Sequence, residues 1–150
     1  MQLRLPPIVV FLIFAVFMFM LARFLPFGEF DFFGRMGLMY IVWGLAVVLV
    51  LLALIKFKRA KTTVDPTRPS NASSLVISGI YSYTRNPMYL AMLLVLIGFG
   101  LKLGNAFNTM TAAGFVYYMN HFQIKPEEEA LTERFGKNYK LYCKAVRRWF

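Results

Sequence analysis

Two short motifs in the second half of the sequence carry side chains that can bind a polar ligand. Arg85 stands just before an apolar segment that begins at Pro87, and Glu127 and Glu128 follow the next apolar segment. A guanidinium and a carboxylate at the mouth of one pocket can clamp a zwitterion, such as the amino-acid end of a cofactor, through charge-assisted hydrogen bonds. This chemistry depends on whether the fold brings the two motifs together.

Each motif taken alone also has a purely structural explanation. Arg85 can anchor a membrane helix at the interface, where basic residues are enriched on one side. The acidic run from Glu127 to Glu129 can begin a helix behind Pro126, because carboxylates in a first turn interact favourably with the helix dipole. The joint arrangement of the motifs is what favours a site.

The composition predicts a membrane protein. Of the 150 residues, 59% are hydrophobic and 16% are charged, and the mean hydropathy is +0.56. A soluble chain of this size leaves about a third of its surface exposed to water. That exposed surface would need more charged side chains than this sequence has. With 17 basic and 7 acidic residues and a net charge of +10, we expect a lipid bilayer with anionic headgroups as partner, and no nucleic acid.

Four charge-poor segments are long enough, or nearly so, to cross a bilayer, which takes about 20 helical residues. We therefore predict an all-α integral membrane protein of one domain, with four transmembrane helices and a C-terminal amphipathic interfacial helix. The predicted elements are spans over approximately 5–25, 36–56, 86–102 and 104–122, a loop over 57–85 and a terminal helix over 126–148.

Basic residues predict the orientation of these spans. The loop over 57–85 and the tail after the fourth span are rich in Lys and Arg. The positive-inside rule places both in the cytoplasm, together with both termini, which means the inner membrane if the source is bacterial. The third and fourth spans are separated only by a short turn around Gly104 and must form an antiparallel hairpin. The hairpin predicts that Arg85 lies close to Glu127 and Glu128.

The counts of cysteine, histidine and acidic residues exclude several kinds of site. One cysteine, Cys143, cannot form an intramolecular disulfide, and with one histidine, His121, it cannot complete a structural zinc site or a bis-histidine haem. We expect no metal. No acidic residue lies inside a predicted span, which argues against a small exporter of cationic drugs.

The residues around both motifs form a longer ordered pattern. It runs Gly79-x-Tyr81-x-x-x-Arg85-Asn86-Pro87-x-Tyr89 and then Glu127-Glu128-x-x-Leu131-x-x-x-Phe135-Gly136-x-x-Tyr139-x-x-Tyr142. This pattern resembles the isoprenylcysteine carboxyl methyltransferases, their short prokaryotic relatives and the related phospholipid methyltransferases. The resemblance covers roughly residues 62–149.

The resemblance implies an enzyme that transfers a methyl group from S-adenosylmethionine to a lipophilic or small acceptor at the cytoplasmic interface. The acceptor group would be a carboxylate, an amine or a thiol. Arg85 and Glu128 are the catalytic candidates. The residues implied to line or support the cofactor site are Tyr81, Tyr83, Asn86, Pro87, Tyr89, Glu127 and Tyr139. His121 is interpreted first as an interface residue and next as a cofactor contact.

Two positions depart from the family pattern. Asn86 stands where the eukaryotic enzymes usually have histidine, and Arg147 stands where a proline often follows the valine that corresponds to Val146.

Two other functions stay open from the sequence. A non-catalytic membrane scaffold could bind anionic lipid or a partner through the basic tail, but it leaves the paired motifs without a purpose. A sterol-type reductase using NADPH would need more basic residues for phosphates and more spans. No segment indicates an obligate protein partner.

Overall fold

A computed structural model describes residues 5–25, 27–60 and 75–150 of the chain. Apart from an isolated antiparallel bridge between Glu29 and Asn105, these residues form helices, turns and irregular segments, so the all-helical class is confirmed for them. Much of the predicted loop over 57–85, namely residues 61–74, lies outside the described residues. The helices are α1 (Pro7–Phe24), α2 (Arg35–Ala60), α3 (Pro87–Leu103), α4 (Phe107–Met119) and α5 (Lys125–Ala145), with a 3₁₀ turn at Gly79–Ser82 and a π turn at Asn120–Ile124.

Two of these helices, α1 and α2, are long and apolar enough to cross a membrane. Their outer faces carry apolar side chains that are more than half exposed, such as Val16 of α1 and Ile41 of α2. Such extended apolar surfaces are unfavourable in water and suited to lipid. The other apolar helices are shorter, with 17 residues in α3 and 13 in α4. The described residues thus hold two candidate spans, and four spans stay a prediction.

Proline and glycine set the ends of the helices. α1 and α3 each begin with a proline, whose fixed φ suits the first helical position and whose missing N–H needs no partner there. Leu25 is extended at the end of α1, as expected for a residue that precedes a proline. α3 ends at Leu103 and is followed by Gly104, which adopts the left-handed conformation with φ 65°.

The main core lies between α1, α3 and α4. Phe115 of α4 is fully buried, and the ring of Phe14 from α1 packs edge-on against it with 5.6 Å between ring centres. Leu96 of α3 and Met119 of α4 are also fully buried in this cluster. The core therefore joins α3 and α4 as the predicted hairpin.

α2 packs against α3 along an extended interface, in which Trp43 makes one particularly close contact. The indole N–H of Trp43 donates a hydrogen bond to the carbonyl of Val95, at 3.1 Å. Gly98 lies beside this ring, since a Cβ added at Gly98 would be 2.3 Å from the indole nitrogen. The glycine permits the two helices to approach this closely.

The end of α2 also contacts the 3₁₀ turn. The ammonium group of Lys56 donates a hydrogen bond to the hydroxyl of Ser78, and a Cβ added at Gly79 would lie 2.2 Å from Cε of Lys56. Gly79 has φ 68°. The 3₁₀ turn is thereby held at the level of Lys56 along α2.

The end of the α3–α4 hairpin away from the two motifs is fixed by Asn105. This buried residue donates from Nδ2 to the carbonyls of Leu25 and Phe27. The backbone N–H of Phe30 donates to the carbonyl of Gly104, at 2.9 Å. The segment between α1 and α2 is therefore bonded to the hairpin turn.

The chain after α4 differs from the prediction of a separate, straight terminal helix over 126–148. The helix continues from α4 through the π turn into α5, and α5 is interrupted at Gly136, where φ is 54° and ψ is −124°. A straight helix would hold Glu128 and Arg148 about 30 Å apart, whereas their side chains form hydrogen bonds. The backbone at Gly136 turns the second part of α5 back toward its first part.

This reversal also changes the apolar face of the terminal helix, which the sequence predicts to be amphipathic and to lie at the membrane interface. Tyr139, Tyr142 and Val146 are buried, and Leu131 and Phe135 pack against them. Because these side chains contact one another across the reversal, they form a small second core instead of a surface that faces lipid.

Candidate functional site

Arg85 and Glu128 form an ion pair where the starts of α3 and α5 meet. A terminal nitrogen of Arg85 lies 2.9 Å from Oε1 of Glu128, and the two side chains are 11% and 18% exposed. The α3–α4 hairpin produces this arrangement, as the sequence predicts, because it returns the chain to the same end of the bundle. An ion pair with so little exposure is weakly screened by solvent.

A second guanidinium binds the same carboxylate. Nε of Arg148 donates to Oε1 of Glu128 at 2.9 Å, and a terminal nitrogen donates to Oε2 at 2.6 Å. These hydrogen bonds raise the pKa of the Arg148 guanidinium. From the sequence, Arg148 is only one of the basic residues of the tail, because a straight helix over 126–148 would carry it away from Glu128.

The residues that follow α5 are bonded to the start of α3. We call Val146–Trp149 the C-terminal strap. The backbone N–H of Arg85 donates to the carbonyl of Arg147 at 3.0 Å, and the side chains of Thr84 and Asn86 both donate to the carbonyl of Arg148 at 3.1 Å. Asn86 therefore holds the strap, and its side chain serves as a hydrogen-bond donor to backbone.

Trp149 fixes the far end of the strap. Its indole N–H donates to the side-chain oxygen of Asn120 in the π turn, at 3.1 Å. The strap is thus bonded both to the start of α3 and to the helical segment that precedes α5.

Glu127, although adjacent to Glu128, has a different environment. The hydroxyl of Tyr89 donates a hydrogen bond to Oε1 of Glu127. Burial raises the pKa of Glu127 to about 8, the hydrogen bond from Tyr89 acts in the opposite direction, and the charge of Glu128 adds to the rise. The Glu127 side chain is therefore mostly neutral at pH 7.

Three tyrosines near the site keep their protons. Burial raises the pKa of Tyr81, Tyr139 and Tyr142. The hydroxyl of Tyr142 donates to the carbonyl of Tyr81 at 2.6 Å, which joins the 3₁₀ turn to the second part of α5. These phenols act as neutral hydrogen-bonding groups and packing surfaces.

A cavity of about 770 Å³ lies beside the Arg85–Glu128 pair. This volume is within the range of roughly 300–1,000 Å³ that is usual for small-molecule sites. A terminal nitrogen of Arg85 also contacts Sγ of Cys143 in its wall. The wall carries five cationic and three carboxylate side chains, and its residues are Arg85, Lys125, Glu128, Glu129, Thr132, Glu133, Tyr139, Lys140, Cys143, Lys144 and Arg148.

The predicted site residues divide into three groups in the structure. Arg85, Glu128 and Tyr139 line the cavity. A second group, which is not among the described lining residues, supports the first through buried contacts and hydrogen bonds and consists of Tyr81, Asn86, Pro87, Tyr89 and Glu127.

Tyr83 and His121 form the third group and lie apart from the cavity. Tyr83 is 77% exposed. His121 is exposed, its Nδ1 is 3.0 Å from the carbonyl of Tyr117, and its ring lies 4.2 Å from the Tyr117 ring. Neither is among the described residues that line the cavity. The interpretation of His121 as an interface residue stays a prediction.

Several lining residues were missed by the sequence analysis as members of a site. Arg148, Cys143 and the lysines at 140 and 144 enter the wall because the chain reverses at Gly136, whereas Lys125 lies at the start of α5, before the reversal. The glycine itself is the signal in the sequence that could have indicated this reversal.

Comparison with known proteins gives one family and two relatives. The family described as phospholipid methyltransferase matches residues 33–138, which include both motifs. An uncharacterized protein of Haemophilus influenzae is 42% identical over 62 residues, which are 41% of this chain and 98% of that protein.

The second relative is a Protein-S-isoprenylcysteine O-methyltransferase of Schizosaccharomyces pombe. It is 33% identical over 72 residues, 48% of this chain, and the match spans only 30% of that enzyme's length. No solved structure shows a significant match.

Proposed function

The chain belongs to the phospholipid methyltransferase family, and on that premise we propose that it transfers a methyl group from S-adenosylmethionine to a lipophilic or small acceptor at the cytoplasmic face of the membrane. The family match and the S. pombe relative confirm the resemblance drawn from the two motifs and make the chain a methyltransferase. The donor, the acceptor and the residue roles below are the proposal.

The observation that carries the proposal is the paired guanidinium and carboxylate in the wall of one cavity. The methyl donor ends in an amino acid, which presents one carboxylate and one ammonium group. Arg85 offers donors to the first, and Glu128 offers acceptors to the second. Nε of Arg85 is buried and has no hydrogen-bond partner among the described residues. This orphaned donor fits an anionic group bound nearby.

The chemistry that the donor supplies when bound is a methyl group on a sulfonium, which is already activated for displacement. The protein must chiefly align the reacting groups and exclude water. Arg85 and Glu128 are the residues that would fix the amino-acid end. Tyr139 contributes a buried, neutral wall, and Tyr89 with Glu127 fixes the start of α3 against α5. For an amine or thiol acceptor, Glu128 is also the group that could order or take the proton.

The acceptor is proposed to arrive from the bilayer. The exposed apolar faces of α1 and α2 suit contact with lipid, and the cationic wall of the cavity suits the basic side of the membrane. We propose four spans with both termini in the cytoplasm, so that the donor enters from water and the acceptor from lipid. The bilayer and the acceptor are the proposed partners.

Binding of radiolabelled S-adenosylmethionine to the full chain in detergent tests the donor assignment. We expect saturable binding to wild-type protein and at least tenfold weaker binding to Arg85→Ala and Glu128→Gln. The matched controls are Arg147→Ala and Glu29→Gln, which make the same charge changes at exposed positions. Absence of binding to the wild type, or equal binding to all variants, would contradict the proposal.

Transfer of the label identifies the acceptor. Wild-type protein is incubated with labelled donor and a total lipid and small-molecule extract, and the labelled product is then identified. We expect one labelled class, whose appearance depends on Arg85 and Glu128. Donor binding without any labelled product would favour a donor-binding protein that is not a catalyst.

A further inference from the structure

Arg148 binds the carboxylate on which the proposed function depends. It donates to both oxygens of Glu128, and Arg85 donates to one of them. A carboxylate offers about four acceptor positions, so these bonds leave little capacity for another cation. A ligand ammonium can bind Glu128 fully only if one guanidinium gives way.

Arg85 is less free to move than Arg148. The Arg85 side chain is 11% exposed, whereas that of Arg148 is 33% exposed. Arg148 follows the end of α5 on the extended strap, and Thr84 and Asn86 hold its carbonyl. Its backbone can therefore stay bonded while its guanidinium leaves Glu128 and turns toward solvent.

The charge of the cavity favours this exchange. Cationic side chains outnumber acidic ones in the wall, so a ligand with net positive charge meets repulsion at close range. Displacing one guanidinium from the carboxylate removes part of that repulsion. S-adenosylmethionine carries one positive charge more than S-adenosylhomocysteine, the compound it becomes after losing its methyl group. The affinity for the donor therefore depends more strongly on the position of the Arg148 guanidinium than the affinity for the product does.

We infer that Arg148 is a specificity-determining residue that competes with the cationic end of the methyl donor for Glu128. This inference rests on the proposed function. This competition weakens binding of the donor more than binding of the product. When the guanidinium of Arg148 returns to Glu128, it displaces the ammonium group of a product that is still bound. Arg148 thereby adjusts the ratio of the two affinities and favours product release.

Binding of both compounds to variants of the full chain tests the inference. We expect Arg148→Gln to bind S-adenosylmethionine about tenfold more tightly than wild type, and S-adenosylhomocysteine more tightly by a smaller factor. Arg148→Lys keeps the charge but loses the bidentate geometry, so its affinity for S-adenosylmethionine should lie between those of wild type and Arg148→Gln. Arg147→Gln is the control, because it removes the neighbouring exposed arginine, and it should bind as wild type.

Spectroscopy of nitrogen-labelled arginine side chains supplies a readout on the unaltered protein. The Arg148 Nε–H signal, assigned by its absence in Arg148→Lys, should be protected from exchange with water and should lose this protection when S-adenosylmethionine is added. Protection that persists at saturation with donor would overturn the inference.

Other outcomes separate the two proposals. If wild type binds the donor but Arg148→Gln binds it equally or more weakly, competition is wrong, and weaker binding would make Arg148 a ligand for the donor. If wild type binds neither compound, the proposed function fails and the inference fails with it.

Discussion

The hydroxyl of Tyr89 donates a hydrogen bond to the carboxyl group of Glu127, and this contact joins the first turn of α3 to the first turn of α5. The next residue, Glu128, is instead bound by Arg85 and Arg148 at the cavity. Two adjacent glutamates of one motif therefore have different environments and different partners. Glu127 supports the fold, and Glu128 lines the cavity.

The raised pKa of Glu127 predicts that stability depends on pH. Because the folded protein binds this proton more tightly than the unfolded chain, the stabilisation is complete below about pH 4.5 and is lost as the pH rises to about 8. The slope should approach about 1.4 kcal/mol per pH unit between these limits. Glu127→Gln, which stays neutral, should remove this component.

Thermal unfolding in detergent across this pH range measures the effect. Glu129→Gln is the control, since Glu129 is an exposed neighbour in the same turn, and it should keep the wild-type slope. An unchanged slope in Glu127→Gln would show that another group causes the dependence.

Substitution of Gly136 should destabilise the site. Its φ of 54° and ψ of −124° lie where an L-residue is strained by about 1–3 kcal/mol. Gly136→Ala should therefore lower the free energy of unfolding by about that amount and weaken donor binding, because Arg148 and Tyr139 reach the cavity through this reversal. Asn138→Ala, at an exposed position two residues later, should change neither quantity measurably. Wild-type stability in Gly136→Ala would argue for a continuous α5.

A larger side chain at Gly98 should disturb the packing of α2 against α3. A Cβ at this position would lie 2.3 Å from the indole nitrogen of Trp43, and relieving such overlap costs about 1–3 kcal/mol. We expect Gly98→Ala to destabilise the protein in detergent by that amount, and to cost less in a Trp43→Leu background, where the ring is absent. Gly44→Ala is the matched control, because nothing lies within 4 Å of its added Cβ. Additive costs of the Gly98 and Trp43 substitutions would contradict direct contact.

Much of the bundle and the central pair could be predicted from local signals. Proline at the starts of α1 and α3 and the short turn at Gly104 fix helix ends, and a short connection forces neighbouring antiparallel helices. The proximity of Arg85 and Glu128 follows from that hairpin without knowledge of side-chain contacts. The close packing at Gly98 could be predicted in the same way, because a small residue in an apolar helix usually marks a helix contact.

The second half of α5 could not be predicted by the same reasoning. Leu131, Phe135, Tyr139 and Tyr142 recur at helical spacing on both sides of Gly136, so their periodicity fits a straight helix as well as a reversed one. The reversal is stabilised by partners far away in sequence, such as the carbonyl of Tyr81 for the Tyr142 hydroxyl. Periodicity indicates which residues share a face of a helix, but it does not indicate whether that face contacts lipid or another part of the protein.

If α2 crosses a bilayer, the contact between Lys56 and the 3₁₀ turn sets the depth of the cavity relative to the membrane surface. The apolar part of α2, Arg35–Lys56, has 22 residues. As a helix it is about 33 Å long, which is close to the thickness of the hydrocarbon core of a bilayer. For a helix that crosses the bilayer over this length, Gly79 lies at the headgroup boundary, and Arg85 follows within a few residues. A change in bilayer thickness that tilts α2 would then raise or lower the cavity relative to the lipid phosphates.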